Sequence, residues 1–240
     1  EALAEANGNL VVVNISGNAV AMPWAGKVAA IVQGWYLGSE AGTSLAAVLM
    51  GDVNPSGKLP FTFPARLEDV PAHSLGQYSA VRSKDVTKIR YNEGIFVGYR
   101  WTDRQKKVQP LFSFGHGLSY TTFEYGKPVA DKREMKAGEQ ITVTVPVKNT
   151  GNREGKEVVQ LYIRDKKSTV ERPVKELKGF CKVSLKPGEE KEVSFTIDRS
   201  ALSYFDAGSH QWVAEPGAFE AIVAASATDI RGRVEFKLTE

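Results

Sequence analysis

Apolar positions fall along this chain in two rhythms: short unbroken runs between residues 10 and 63, then alternation with polar positions beyond about residue 127. Leu10 to Ile15 is nearly all β-branched and apolar, which predicts a strand buried on both faces of a parallel sheet. Gly17-Asn18 ends it, Met22-Pro23-Trp24 reads as a bend, and Val28 to Trp35 as a second strand. Gly34 to Pro64 then supplies a helix and a turn. Ser39 is placed to cap the helix, Glu40 suits its N-terminus, and Ala41, Leu45, Val48 and Leu49 give an apolar face ended by Gly51. Asn54-Pro55-Ser56-Gly57 predicts a tight turn, and Leu59 to Phe63 a third strand stopped by Pro64. Three strands with one or two helices make half of a doubly wound sheet, so the pattern predicts further polypeptide to cover its open flank. Glu1 to Ala6 reads as the last turns of a helix ended by Asn7-Gly8, as in a chain that begins inside a domain.

Arg66 to Lys88 is polar, punctuated by proline and aperiodic, which reads as a long connection. Apolar residues return in Arg90 to Trp101, Arg104 to Lys107 reads as an exposed loop tip, and Leu111 to Phe123 as a packed irregular loop. Alternation starts after the charged stretch at 124–135. Ile141–Val147, Glu157–Ile163, Gly179–Leu185, Glu192–Ile197, Gln211–Val213, Gly217–Val223 and Gly232–Leu238 predict the strands of an antiparallel β-sandwich. The fold class expected is therefore α/β plus all-β: a partial α/β sandwich over 1–65, a linker over 66–126 and a β-sandwich over 127–240.

Composition changes this picture little. In 240 residues, 42% are hydrophobic and 25% charged, as in a globular protein, and no apolar run approaches membrane-spanning length or reads as a signal peptide. The formal charge of +3 is spread along the chain, which argues against a nucleic-acid partner. A lone cysteine, Cys181, allows no internal disulfide and, in an alternating strand beside Phe180, reads as a small buried hydrophobe. That leaves the compartment open, with periplasm or secretion favoured slightly over cytoplasm.

Few residues suggest chemistry. Glu93, among aromatics and glycines, invites reading as an acid of raised pKa, but a structural carboxylate, paired with Arg90 or Arg100 or accepting backbone hydrogen bonds that fix the linker, is the simpler account. His116, between Gly115 and Gly117, reads as a loop-pinning histidine before it reads as a sugar ligand. His73, His116 and His210 lie in unrelated segments, so no metal site is expected. Trp24, Trp35, Tyr36, Tyr99 and Trp101 could stack on a sugar ring, although core packing is the commoner role of such aromatics. Glu40 and Asp52 read as helix-end and turn groups, and Asp165 to Ser168 with Arg172 and Pro173 as a solvated loop. Asn54 to Gly57 lacks the ending and position of a phosphate loop, so no cofactor is expected.

Set side by side, Met22-Pro23-Trp24, Trp35 to Gly42, Gly51 to Pro64, Tyr91 to Arg100 and Phe114 to Thr121 resemble, in order, the C-terminal part of family 3 glycoside hydrolases. This is the β-glucosidase and β-xylosidase group. Val145 to Val159 with Pro187-Gly188 resembles the fibronectin type III-like domain that ends many members. The resemblance implies a retaining β-glycosidase, of β-glucosidase type, acting on short oligosaccharides or aryl β-glucosides. It also implies that the nucleophile lies in an N-terminal (β/α)8 barrel and the acid/base glutamate just upstream of Glu1. Retention needs two carboxyl groups about 5–5.5 Å apart. No residue of this chain is assigned a catalytic or substrate-binding role, and the isolated chain is expected to be inactive. The alternative is a non-catalytic carbohydrate-binding or structural module, or the partner chain of a separate barrel. The sugar preferred and any homo-oligomer stay open at this stage.

Overall fold

The computed structural model describes residues 1–78, 81–83, 86–105 and 107–240, the side chains of 81–83, 86 and 87 excepted. The chain packs as two units, one of residues 1–53 and 59–114, the other of residues 54–58 and 115–240.

In the first unit, helix α1 (Ala2–Ala6) precedes strands β1 (Val11–Asn14) and β2 (Ala30–Gln33), which pair in parallel with Val12 opposite Ile31. Both strands are half-buried and shorter than their apolar runs, since each has one neighbour among the described residues. Helix α2 (Ala41–Met50) follows. It starts one residue later than expected: Glu40 occupies the cap position, and no side chain caps it. Ala41, Leu45 and Val48 are half-buried while Leu49 and Met50 stay exposed. Gly51 ends the helix in the left-handed region at φ 83°, its N–H donating to Val48 O at 3.1 Å.

The third strand expected over Leu59–Phe63 does not form. Pro60 and Pro64 carry no N–H, so a continuous ladder there is denied its donors. Phe63 alone makes an antiparallel bridge, donating to Phe112 O at 2.8 Å and accepting from Leu111 N at 2.9 Å. Its ring is buried, edge-on to Trp35 at 6.0 Å and Phe112 at 6.3 Å. The polar stretch after it holds helix α3 (Pro71–Ser74) and the antiparallel pair β3 (Val81–Ser83) and β4 (Val86–Lys88). Helix α4 (Tyr99–Arg104) closes with Arg104 lying 4.2 Å over the Phe96 ring, so this residue belongs to a helix end and not to a loop tip. Lys106 lies outside the described residues.

The second unit is the β-sandwich. Short strands β5 (Phe123–Tyr125), β6 (Val129–Ala130) and β7 (Glu134–Met135) lead into β8 (Ile141–Asn149), β9 (Gly155–Asp165), β10 (Glu176–Leu185) and β11 (Glu190–Ile197). Helix α5 (Arg199–Leu202), hairpin β12 (Tyr204–Asp206) and β13 (Gln211–Val213), then β14 (Gly217–Ala224) and β15 (Ile230–Leu238) complete it. One sheet runs β10-β9-β14-β15-β7, and the other β11-β8-β5 with β6 also on β8.

The core lies between the sheets. On β8, Ile141, Val143, Val145 and Val147 are fully buried, facing Val159, Leu161 and Ile163 of β9 and Phe219, Ala221 and Val223 of β14. Each such aliphatic side chain contributes on the order of 1.5–3 kcal/mol of burial. Pro146 sits mid-strand without breaking β8, because its position falls at the gap between β5 and β6. Its carbonyl accepts from Gly126 N at 2.8 Å on that side, so the N–H it lacks is one no neighbour needs.

Candidate functional site

Residues 54–58 and 115–121 meet at the start of β9. Asn54 accepts from Ser119 Oγ at 2.9 Å and Tyr120 N at 2.8 Å, and donates to Glu154 O at 2.9 Å. Lys58 Nζ donates to Gly117 O at 2.9 Å and stands 3.2 Å from Glu157 Oε2. The other oxygen of Glu157 accepts the Tyr125 hydroxyl at 2.8 Å. The two glycines beside His116 are required by close approach. A Cβ on Gly117 would strike the Gly57 carbonyl, and one on Gly115, held at φ 80°, would strike the Gln160 amide.

Burial drives the electrostatics here. Desolvation, then the Glu157 charge, pushes the Tyr125 phenol far above its usual range. Desolvation, with the Lys58 cation adding repulsion and Asp229 partly offsetting it, lowers His116 below the ordinary histidine value. His116 is therefore neutral at pH 7. Glu157 gives both oxygens to protein donors, so it works as a structural acceptor.

The same unit holds a second buried ion cluster. Arg172 donates to Asp165 at 3.2 Å, to Glu176 at 2.5 Å and to Leu202 O at 2.9 Å, and lies 5.7 Å over the Tyr204 ring. Asp165 and Arg172 side chains are 4% and 7% exposed, which corrects the expectation of a solvated loop for these two. The three acceptors around the guanidinium offset the cost of taking it out of water. Lys166 and Lys167 remain on the surface.

The remaining candidates are scattered. Glu93 lies in a half-exposed turn, and among the described residues no ion pair joins it to Arg90 or Arg100. Trp101 is buried, its indole N–H donating to Asp69 O at 2.9 Å, so it is a core residue. Trp35, at φ 54°, packs edge-on against Phe61 at 5.5 Å. Tyr99 tilts over Phe114 at 5.3 Å, Trp24 is half-buried, and Tyr36 is 81% exposed, so these aromatics form no shared wall. His73 stacks on Tyr78 at 3.8 Å, while His210 sits in the β12–β13 turn at φ 54°. Glu40 and Asp52 are exposed. Among the described residues no group of three or more His, Cys, Asp or Glu could hold a metal, and no helix is long and apolar enough to cross a membrane. Cys181 is exposed and in no disulfide, contrary to expectation: β10 is an edge strand, with β9 as its one ladder neighbour among the described residues.

Lys58 and Glu157 carry no sequence motif, yet one signal marks Glu157. It shares register with the inward residues Val159, Leu161 and Ile163, and an acid at such a position needs a partner.

Comparisons with known proteins agree with this architecture. Residues 1–99 match the glycosyl hydrolase family 3 C-terminal domain, and residues 157–227 a fibronectin type III-like domain. A β-glucosidase of Bacteroides ovatus is 57% identical over 99% of this chain, which covers 31% of that protein. Thermostable β-glucosidase B of Acetivibrio thermocellus is 47% identical over 96% of the chain and 30% of its own length. Among solved structures, a Kluyveromyces marxianus β-glucosidase in complex with glucose superposes with a TM-score of 0.89 at 41% identity, covering 100% of this chain and 28% of that one. β-Glucosidase 3B of Thermotoga neapolitana gives 0.87 at 38% identity, covering 97% and 31%. The chain thus spans about three-tenths of the length of these relatives. The chain thus belongs to the family 3 glycosyl hydrolases, holding their C-terminal domain followed by a fibronectin type III-like domain.

Proposed function

We propose that this chain is the C-terminal portion of a retaining β-glucosidase that releases terminal β-D-glucosyl residues from short oligosaccharides or aryl β-glucosides. The observation that carries this reading is 57% identity, sustained over 99% of the chain, to a β-glucosidase. Both principal catalytic carboxyl groups then lie outside these residues, in a preceding barrel and in the upstream part of the α/β domain. The buried acid Glu157 is committed to Lys58 and Tyr125. The contribution of this portion is support. It completes the α/β domain and adds a rigid β-sandwich, and a displacement of about 1 Å in a catalytic group can lower a rate a hundredfold.

The test is an assay of the purified 240-residue chain on p-nitrophenyl β-glucoside beside the product of the full coding sequence. The longer protein is expected to hydrolyse the substrate and the chain alone to be inert. Turnover by the chain alone would overturn the placement of the catalytic groups elsewhere. An inactive full-length product that still binds glucans would favour a carbohydrate-binding or structural module.

A further inference from the structure

At the open side of the β-sandwich, where β6 and β7 approach β15, lies a cavity of ≈ 640 Å³. Its walls carry four cations, Lys127, Arg133, Arg233 and Lys237, and two acids, Glu134 and Glu235. Of these, Arg233 is tied to Glu220 at 2.7 Å and Glu235 to Lys166 at 2.6 Å. Among the described residues the side chains of Lys127, Arg133 and Lys237 make no ion pair, and neither does Glu134. Three cations without an ion pair thus border one hollow with a single such carboxylate, in a chain whose whole net charge is only +3. The wall is firmly held. Pro128 is buried against Gly232, where a Cβ would come within 2.6 Å of the proline ring, and Lys237 N donates to Arg133 O at 2.9 Å.

From this arrangement we infer a binding site for an acidic oligosaccharide, one bearing carboxylate or sulfate groups on sugar rings. The volume falls within the range of about 300–1,000 Å³ usual for small-ligand sites. These cations would take the acid groups, Arg133 in two-pronged fashion. The carboxylate of Glu134 is an acceptor for sugar hydroxyls and repels a ligand that is densely anionic throughout, such as a polyphosphate. A lining that mixes cations with a carboxylate therefore fits a molecule that mixes acid groups with hydroxyl donors.

The experiment is calorimetric titration of the 240-residue chain with trigalacturonate, cellotriose and inorganic phosphate at low salt. Trigalacturonate is expected to bind, to weaken at least tenfold in an R133A/K237A double variant, and to weaken when salt is raised to shorten the screening length. Both altered residues are exposed, so melting temperatures should match; K182A, on β10 and outside the cavity, should bind as the parent does. Failure of trigalacturonate to bind at millimolar concentration would overturn the inference. Equal binding of cellotriose would remove the role of charge, equal binding of phosphate would remove the sugar, and unchanged affinity in R133A/K237A would place the ligand elsewhere.

Discussion

Lys58 and Glu157, 99 positions apart in sequence, stand 3.2 Å apart with side chains only 14% and 6% exposed. This ion pair ties the Asn54–Lys58 turn to the first residues of β9. A charge pair this dry contributes little relative to an apolar replacement, but removing one partner strands the other in low dielectric. Lys58→Met is therefore expected to lower unfolding free energy by about 3 kcal/mol, with Lys58→Met/Glu157→Gln recovering most of it. Urea denaturation of the three variants decides this. A single variant as stable as the parent would mean that water reaches Glu157.

Gly117→Ala should destabilise by about 2 kcal/mol, because the new methyl meets a backbone carbonyl, that of Gly57, which cannot rotate away. Gly57→Ala is the control: a Cβ there meets nothing within 4 Å. Thermal melts of the pair should separate by several degrees, and equal melting temperatures would refute the close approach.

His116 adds a pH dependence. Its folded pKa is depressed, chiefly by burial and then by Lys58. The unfolded chain therefore binds the proton more readily than the folded one as pH falls below the unfolded value of about 6.5. The stability associated with neutral His116 is present above that pH and is lost as pH falls toward the lower folded value. Denaturation curves between pH 8 and 5 should decline more steeply for the parent than for His116→Gln. Parallel curves would show that His116 titrates alike in both states.

Much of the fold is legible in the sequence where one physical rule acts alone. The alternation over 141–147 returns as β8, with alternate residues buried, since nothing but the pleat and the core sets that pattern. The strand read over Leu59–Phe63 fails because periodicity competes with two prolines, and the prolines win. Strands β5, β6, β7 and β12 are too short, at two or three residues, to show a period at all. The Asp165–Arg172 pair and the Lys58–Glu157 pair were unreadable as pairs because charge composition does not report burial. Cys181 misled for the opposite reason: its strand alternates, but the strand is an edge.

Asn149 offers the sharpest separation of hydrogen bonding from packing. It ends β8 in the inward register of Val145 and Val147 and is fully buried. Its amide nitrogen donates to Arg153 O at 2.7 Å and Leu185 O at 2.9 Å, and its oxygen accepts from Thr121 Oγ at 2.7 Å and Gly151 N at 3.0 Å. Every donor and acceptor the side chain has is used, and three segments converge on it. Asn149→Ala leaves these groups without partners and should cost about 3 kcal/mol, since each stranded buried group costs roughly 1–3 kcal/mol. Asn149→Asp keeps the shape but replaces the two donors with an acceptor facing two carbonyls. If hydrogen bonding governs, the aspartate variant should be at least as unstable as alanine at pH 7 and should regain part of the loss at low pH, where protonation restores one donor. If shape governs, it should melt with the parent, and the assignment of Asn149 as a polar keystone would fail.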